Sequence, residues 1–225
     1  MINDTFGDDG MKKGKFIVFE GLDGSGKGTQ TALLEKHIKQ SGGKVYLTAE
    51  PTIFSTGGMI RDALGGFTDR DAYELSAMFL TDRIFHNINK KSGIRKYLDA
   101  GIDVICDRYY YSSFAYQGID ADLDWVMDMN LNCREIAKPD LCIFLDVDTE
   151  LCDKRISENR FEREIYENKD AQSRIRRRFF EVFDKLRDSE NICIIDASRS
   201  VEEISDDIIK IYEKIRNTND CVDIK

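Results

Sequence analysis

The chain has 225 residues, of which 41% are hydrophobic, and this suits one globular domain with a sizeable core better than two large domains. Its formal net charge of −9 argues against a general DNA or RNA binder, because such proteins present a basic face. No stretch is apolar enough for a membrane helix, and residues 1–10 lack the apolar centre of a signal peptide, so we expect a cytoplasmic protein without a membrane contact.

Short apolar runs along the chain predict buried strands. Residues 1–13 are expected to form a disordered tail, and residues 15–20 (KFIVFE) then read as a strand because they are apolar, β-branched and aromatic. A glycine-rich turn follows, and then a helix at about residues 27–40, which Gly42 and Gly43 end. Four more strands are predicted, at residues 44–48, 103–106, 141–147 and 192–195.

Helical segments separate these strands. Helical spacing extends over residues 70–98, and a last helix is predicted at about residues 201–215. Short apolar strands that alternate with amphipathic helices predict an α/β fold, with three α/β/α layers around a five-stranded parallel sheet. We expect a single domain at residues 14–217 and a short tail at 218–225. In such a sheet, ligands bind at the carboxyl ends of the strands.

The six cysteines form no C-x-x-C pair, and three of them fall inside the predicted strands. We interpret them as free thiols that behave as small apolar residues, rather than as a zinc site or a disulfide framework. They are Cys106, Cys133, Cys142, Cys152, Cys193 and Cys221.

Residues 21–27 (GLDGSGK) match the phosphate-binding loop pattern G-x-x-x-x-G-K between a predicted strand and a predicted helix. The glycines let backbone N–H groups turn towards an anion, and the start of the helix adds a partial positive charge. Lys27 supplies an ammonium group for the β- and γ-phosphates of a nucleotide. The loop therefore predicts a P-loop NTPase fold.

The residue after Lys27 departs from the general pattern. Gly28 stands where a Ser or Thr usually ligates Mg²⁺, and Thr29 follows. This version resembles the loop of adenylate kinases, in which the metal is held mainly through water and phosphates. We expect Thr29 to contact a phosphate and Asp107, at the end of the third strand, to position Mg²⁺ through water.

Six segments resemble the thymidylate kinases, and the likeness covers residues 15–215. Residues 79–83 (FLTDR) resemble the family's F-x-x-D-R helix, and residues 107–117 (DRYYYSSFAYQ) resemble its D-R-Y-x-x-S-x-x-A-Y-Q stretch; these two are the most specific. The other four are residues 19–24 (FEGLDG), 50–61 with EPT and GMIR in the form seen in archaeal members, 145–147 (LDV) and 196–200 (DASRS).

The resemblance implies a kinase that moves the γ-phosphoryl group of ATP, with Mg²⁺, onto dTMP, giving dTDP and ADP for dTTP biosynthesis. It also implies a homodimer. Arg83 and Arg108 would hold the acceptor phosphate with help from Arg61, since the planar guanidinium can donate two hydrogen bonds at once. Phe79 would stack on thymine, and Asp23 would bind the sugar 3′-hydroxyl.

Two sets of binding residues follow from the same resemblance. The dTMP set comprises Asp23, Glu50, Pro51, Arg61, Phe79, Arg83, Arg108, Ser112, Tyr116 and Gln117. The ATP set comprises Gly21, Leu22, Asp23, Gly24, Ser25, Gly26, Lys27, Gly28, Thr29, Gln30 and Arg199, the last in a loop over adenine.

Members of this family place a catalytic arginine either in the phosphate-binding loop or in a lid. Gly24 occupies the loop position, so the sequence resembles the type with a lid arginine. The lid is expected at about residues 153–170, with Arg155 and Arg160 as catalytic candidates beside Lys27 and Asp107, and Arg163 as a further one. A group of basic residues beyond the lid is interpreted as a solvated helical face without a role: Arg174, Arg176, Arg177 and Arg178.

Three other functions compete with this interpretation. Another nucleoside monophosphate kinase, acting on AMP, CMP or GMP, would share the loop. A deoxynucleoside kinase would have no use for Arg83 and Arg108, because its acceptor carries no phosphate. A P-loop protein that binds nucleotide without turnover would need neither these arginines nor a basic lid.

Overall fold

The computed structural model describes residues 13–157 and 169–217, and five parallel strands form its single sheet. The strands are β1 Phe16–Gly21, β2 Val45–Ala49, β3 Asp103–Asp107, β4 Leu141–Asp146 and β5 Ile192–Asp196. Each predicted strand is found within two residues of its predicted ends. The α/β class with a five-stranded parallel sheet is therefore confirmed.

Helices fill the connections between the strands. They are α1 Lys27–Gln40, α2 Ser55–Leu64, α3 Ala72–Ile88, α4 Ile94–Asp99, α5 Tyr110–Tyr116, α6 Leu123–Leu131, α7 Thr149–Ser157, α8 Lys169–Leu186 and α9 Val201–Asn217, with a short 3-10 helix at Gln117–Ile119. Helix α1 packs on α9, and α5 packs on α8. No helix among the described residues is long and apolar enough to cross a membrane.

The strand order β2-β3-β1-β4-β5 places β1 at the centre of the sheet. Phe16, Ile17, Val18 and Phe19 of β1 are completely buried, which requires helices on both faces. Phe19 lies beside Asp107 of β3, in register. The loop after β1 and the loop after β3 therefore leave the sheet side by side.

The helical spacing predicted over residues 70–98 is interrupted in the structure, which corrects that expectation. Helix α3 ends at Ile88 because Asn89 adopts an extended conformation and its Oδ1 accepts the backbone N–H groups of Lys91 (2.8 Å) and Ser92 (3.1 Å). This local turn competes with the helix. Helix α4 then starts afresh at Ile94.

A second, smaller apolar cluster lies between α2 and α3, apart from the main core. Ile60, Ala63 and Leu75 form it, and Phe79 packs against it. The cluster fixes α3 against α2 and so determines where the Phe79 ring lies at the carboxyl edge of the sheet.

The cysteines behave as expected in the described residues. Cys106, Cys142 and Cys193 are buried in strands, and these three with Cys133 and Cys152 are free thiols. Cys221 lies outside the described residues.

Candidate active site

A cavity of about 510 Å³ lies at the carboxyl edge of the sheet, between the phosphate-binding loop and the segments that follow β2 and β3. All ten residues predicted to bind dTMP line it. The full lining is Asp23, Gly24, Gly26, Lys27, Gly28, Thr29, Ala49, Glu50, Pro51, Arg61, Leu64, Phe79, Arg83, Asp107, Arg108, Tyr109, Ser112, Tyr116 and Gln117.

The phosphate-binding loop turns sharply between β1 and α1. Gly24 and Gly26 have φ angles of +81° and +98°, which favour glycine. A Cβ on Gly24 would lie 2.6 Å from the carbonyl oxygen of Cys152 in α7, so this position has no room for a side chain. An arginine would therefore not fit at this loop position, and the lid-arginine type stays a prediction.

Lys27, the first residue of α1, points back into the loop. Its ammonium group donates to the carbonyl oxygens of Gly21 and Leu22, each at 3.0 Å. Burial lowers the pKa of Lys27 from its ordinary value, and the neighbouring Arg108 lowers it further. Asp107, Asp23 and Glu20 oppose this fall, and an incoming phosphate would add to their negative charge.

Arg108 follows β3 and has a φ of +66°, which is unusual for a residue with a side chain. Its Nη2 donates to Asp23 Oδ1 (2.6 Å), and its Nη1 donates to Ser112 Oγ (3.0 Å) and to the Tyr116 hydroxyl (3.2 Å). The guanidinium also lies over the Tyr116 ring, 5.1 Å from its centre. Three residues of the predicted dTMP-binding set, Asp23, Ser112 and Tyr116, thus hold this arginine.

Glu20, near the end of β1, is buried just behind Arg108. Its Oε1 accepts the backbone N–H groups of Tyr109 (2.8 Å) and Ser112 (3.1 Å), and its Oε2 accepts the hydroxyl of Ser112 (2.6 Å). Burial raises the pKa of this carboxyl to about 7, although Arg108 and the hydrogen bonds oppose the rise.

Arg61, on α2, is an exposed cation at the rim of the cavity. Its Nη1 donates to the carbonyl oxygens of Pro51 and Thr52. The carboxylate of Asp82 in α3 holds the same loop, because it accepts from the backbone and hydroxyl of Thr52 (2.7 and 2.6 Å) and from the Thr56 hydroxyl. Asp82 therefore fixes the loop before α2 and the first turn of α2, the helix that carries Arg61.

Arg83 is deeply buried, with a side chain that is 1% exposed. Its Nε donates to Glu50 Oε2 (2.8 Å), its Nη1 to Asn130 Oδ1 (2.6 Å) and its Nη2 to Ser113 Oγ (3.1 Å). Glu50 is also within 3.0 Å of His86 Nδ1. Arg83 reaches the cavity, but its charge is already paired with Glu50.

The ATP-binding set is spread more widely. Leu22, Ser25 and Gln30 are buried and do not line the cavity, and Gln30 Nε2 donates to the carbonyl oxygen of Val201 (3.0 Å). Arg199 is exposed beyond β5 and donates to Asp207 (2.8 Å). The structure therefore brings Arg199 close to α9 rather than to the cavity wall.

The lid arginines are described only in part. Arg155 of α7 lies between the loop and the segment after β5, with its guanidinium 3.4 Å from the carbonyl oxygens of Gly24 and Ala197. Arg160 and Arg163 lie outside the described residues.

Arg176 corrects the interpretation of α8 as a solvated basic face. Its Nε and Nη2 donate to the two carboxylate oxygens of Asp146 at 2.6 and 2.7 Å, and this bond raises the pKa of Arg176. The pair fastens α8 to the carboxyl end of β4. A run of arginines on a helix shows no feature that marks the one which reaches a carboxylate on a distant strand.

Thr29 and Asp107, the residues expected to position Mg²⁺, both line the cavity. Among the described residues, no group of three or more His, Cys, Asp or Glu side chains could hold a metal by itself. In the described ranges, Asp107 Oδ1 is buried without a hydrogen-bond partner, and Thr29 lines the same cavity. This fits an ion that takes one carboxylate, or its water, and otherwise binds phosphate oxygens.

Sequence reasoning assigned no role to Glu20, Asp82 or Asn130, although all three support residues of the cavity. A carboxyl at the end of an apolar strand, as in residues 15–20, is a usable signal for Glu20, because a buried carboxyl needs partners. Asp82 is the aspartate of the F-x-x-D-R segment, which marks its position but not its partner Thr52. The contact of Asn130 with Arg83 joins distant segments and leaves no local pattern.

A phosphate-binding loop and a second set of cations face one cavity at the edge of a five-stranded parallel sheet. This combination defines a P-loop phosphotransferase of the nucleoside monophosphate kinase type. Comparison with known proteins gives the particular family.

The family model described as thymidylate kinase matches residues 19–208. A probable thymidylate kinase of Methanocaldococcus jannaschii is 36% identical over 207 residues, covering 91% of this chain and 99% of the relative. One of Thermococcus gammatolerans is 36% identical, covering 89% and 97%. The structure of Candida albicans thymidylate kinase superposes with a TM-score of 0.78 at 24% identity, covering 91% and 93%, which supports the fold.

The chain therefore belongs to the thymidylate kinase family. The prediction of a thymidylate kinase is confirmed at this level, whereas the roles of individual residues stay predictions.

We expect Gly24→Ala to destabilise the protein and Gly28→Ala not to. An added Cβ on Gly24, where φ is +81°, would meet the Cys152 carbonyl oxygen. In the part of the chain that the structure describes, nothing lies within 4 Å of a Cβ added to Gly28 in α1. In denaturant unfolding, Gly24→Ala should lose roughly 2 kcal/mol or more, and Gly28→Ala should keep or gain up to about 1 kcal/mol. Equal losses would contradict the close approach of α7 to the loop.

Proposed function

We propose that this member of the thymidylate kinase family transfers the γ-phosphoryl group of ATP to dTMP, giving dTDP and ADP, through the residues that line the cavity. The observation that carries the proposal is that one cavity has two cationic sites. Lys27 of the phosphate-binding loop forms the first, and Arg61 and Arg108 form the second. A kinase with a phosphorylated acceptor must hold two anions close together, and phosphoryl transfer depends mostly on positioning and charge neutralisation.

On the donor side, the loop backbone and Lys27 would bind the β- and γ-phosphates. Arg155, which already lies beside Gly24, and Arg160 of the lid would neutralise the charge that develops on the transferred group. Mg²⁺ bound to the nucleotide would add to this neutralisation, with Asp107 and Thr29 as the groups that would position it. Closure over the cavity would exclude water, which otherwise competes with the acceptor.

On the acceptor side, Arg108 and Arg61 would bind the dTMP phosphate. The side chain of Arg108 is 17% exposed and its partner Asp23 is 30% exposed, so a phosphate can reach this guanidinium. Arg83 was also predicted to bind this phosphate. Because the Arg83 guanidinium is already paired with Glu50, a phosphate would have to bind it alongside that carboxylate.

The nucleoside would lie on the remaining walls of the cavity. Phe79, held by the α2–α3 cluster, would stack on the thymine ring, and Ser112, Tyr116 and Gln117 would face the base and sugar. Gln117 is buried, and its Oε1 has no hydrogen-bond partner among the described residues, so it can accept from a bound base.

We expect ADP release with ATP and Mg²⁺ to be stimulated by dTMP over dUMP, and not by AMP, CMP or GMP. A coupled assay with each monophosphate in turn measures this. Stimulation by another monophosphate would retain the kinase chemistry and refute the thymine pocket. No stimulation of ADP release by any of the five monophosphates would refute phosphoryl transfer and favour a nucleotide-binding protein without turnover.

Arg61→Ala tests the acceptor site with little risk to the fold, because Arg61 is exposed. We expect the KM for dTMP to rise roughly tenfold through the loss of a charge-assisted contact, while the KM for ATP stays within about twofold. Steady-state kinetics with each substrate varied give both constants.

Arg95→Ala is the matched control, since Arg95 also donates to a backbone carbonyl oxygen but lies away from the cavity. An unchanged KM for dTMP in Arg61→Ala would contradict the proposal that Arg61 binds the acceptor phosphate. Arg83→Ala is unsuitable as a first test, because removing one partner of a buried ion pair destabilises the fold by itself.

We further propose that two copies of the chain associate through the outer face of α3. Phe85 and Ile88 are 36% and 46% exposed there, and Phe54 packs edge-on against Phe85 with ring centres 5.0 Å apart. This is an apolar surface that a second copy would cover.

Ile88→Glu should therefore convert a dimer to a monomer in light scattering, because it places a charge in the covered patch. Val201→Glu, a change of a side chain that is 44% exposed on another helix, is the control and should leave the mass unchanged. A monomeric wild-type protein would contradict the proposal.

A further inference from the structure

Glu20 contacts the acceptor side of the cavity without being part of its wall. The residue is completely buried on β1 and does not line the cavity. Its three hydrogen bonds, to the backbone N–H groups of Tyr109 and Ser112 and to the Ser112 hydroxyl, all go to the segment that carries Arg108.

The Ser112 hydroxyl links Glu20 to the guanidinium. Its one hydrogen is donated to Glu20 Oε2 at 2.6 Å, so the lone pairs of the oxygen remain for another donor. Arg108 Nη1 donates to that oxygen at 3.0 Å. The carboxylate thereby makes Ser112 an acceptor for Arg108.

The backbone is fixed at the same point. Arg108 has a φ of +66°, a conformation that costs a residue with a side chain some strain and persists only where surrounding contacts enforce it. The Arg108 N–H donates to the carbonyl oxygen of Phe19 (2.9 Å), and the next N–H, that of Tyr109, donates to Glu20. Two consecutive residues of β1 thus hold the two peptides on either side of Arg108.

We propose that Glu20 is a positioning residue for the acceptor phosphate, which it serves by holding the backbone and the guanidinium of Arg108 through Tyr109 and Ser112. The inference rests on the proposed function, because it takes Arg108 as a ligand of the dTMP phosphate. Glu20 itself touches no substrate. Its buried charge is offset by the neighbouring cations of Lys27 and Arg108.

The variant Glu20→Gln tests this inference. The amide oxygen has to take the place of Oε1, where two backbone N–H groups donate, so the amide NH₂ faces Ser112 and reverses the hydrogen bond to its hydroxyl. We expect dTMP binding, measured by calorimetry, to weaken about tenfold. The inhibition constant of thymidine, which lacks the phosphate, should not change, and the KM for ATP should stay within about twofold.

Glu190→Gln is the matched control. Glu190 is also a buried carboxyl, with a side chain that is 4% exposed, and it accepts from the Tyr111 hydroxyl of the same helix α5 (3.1 Å). It does not line the cavity. The same chemical change there should leave the affinities for dTMP and thymidine as they are.

A second variant separates positioning from a general disturbance of the pocket. Because the effect of Glu20→Gln passes largely through Ser112, it should fall well below tenfold in a Ser112→Ala background. Ser112→Ala alone should weaken dTMP binding more than thymidine binding. If Glu20→Gln does not fold, as judged by circular dichroism, this comparison of the two ligands in Ser112→Ala decides the question.

Unchanged dTMP affinity in Glu20→Gln, or an equal loss for dTMP and thymidine, would overturn the inference while wild-type kinase activity stands. A wild-type protein without dTMP-stimulated ADP release would refute the proposed function, and this inference with it. The two failures are therefore distinguishable.

Discussion

Every cation that faces the cavity from within the fold is held by oxygen atoms of the protein, and the architecture of the site depends on this compensation. Arg83 is paired with Glu50 at 2.8 Å, Arg108 with Asp23 at 2.6 Å, and Lys27 with two loop carbonyl oxygens at 3.0 Å. A buried charge without a partner would cost several kcal/mol. The partners allow the cations to be fixed in place before any phosphate arrives, which is the preorganisation that phosphoryl transfer requires.

The ion pairs differ in how far solvent reaches them, and this difference separates their functions. Arg83 and Glu50 are 1% and 2% exposed, whereas Arg108 and Asp23 are 17% and 30% exposed. A ligand can exchange with Asp23 at Arg108 without uncovering the core. At Arg83, a ligand can only bind in addition to Glu50, because that ion pair is sealed from solvent. The sealed pair therefore stabilises the pocket, and the accessible one is suited to bind and release an anion.

The local parts of this fold could be predicted from the sequence, and the long-range parts could not. Helix α1 begins at Lys27 and ends at Gln40 as expected, because a glycine-rich loop and two terminal glycines delimit it. The break after Ile88 was missed, since it depends on a side chain, Asn89, that can equally sit in a helix. The Arg176–Asp146 pair joins residues 30 positions apart, and nothing in a group of four neighbouring arginines indicates which one pairs with a carboxylate at a strand end.

The same distinction applies to the site. The resemblance placed ten dTMP-binding residues, and all ten line one cavity, because parallel strands deliver their carboxyl ends to one edge. What it could not place are the supports, Glu20, Asp82 and Asn130. These residues support the site through hydrogen bonds to partners that are 30 to 92 residues away in the sequence.

The central position of β1 explains how the donor and acceptor sites can be held in fixed positions relative to each other. This strand continues into the phosphate-binding loop, and through Phe19 and Glu20 it also holds the backbone around Arg108. Asp23 of the loop completes the connection by pairing with the same arginine. A phosphate that takes the place of Asp23 at Arg108 would free a carboxylate of the donor loop. Such an exchange of partners would link the binding of the acceptor to the donor loop.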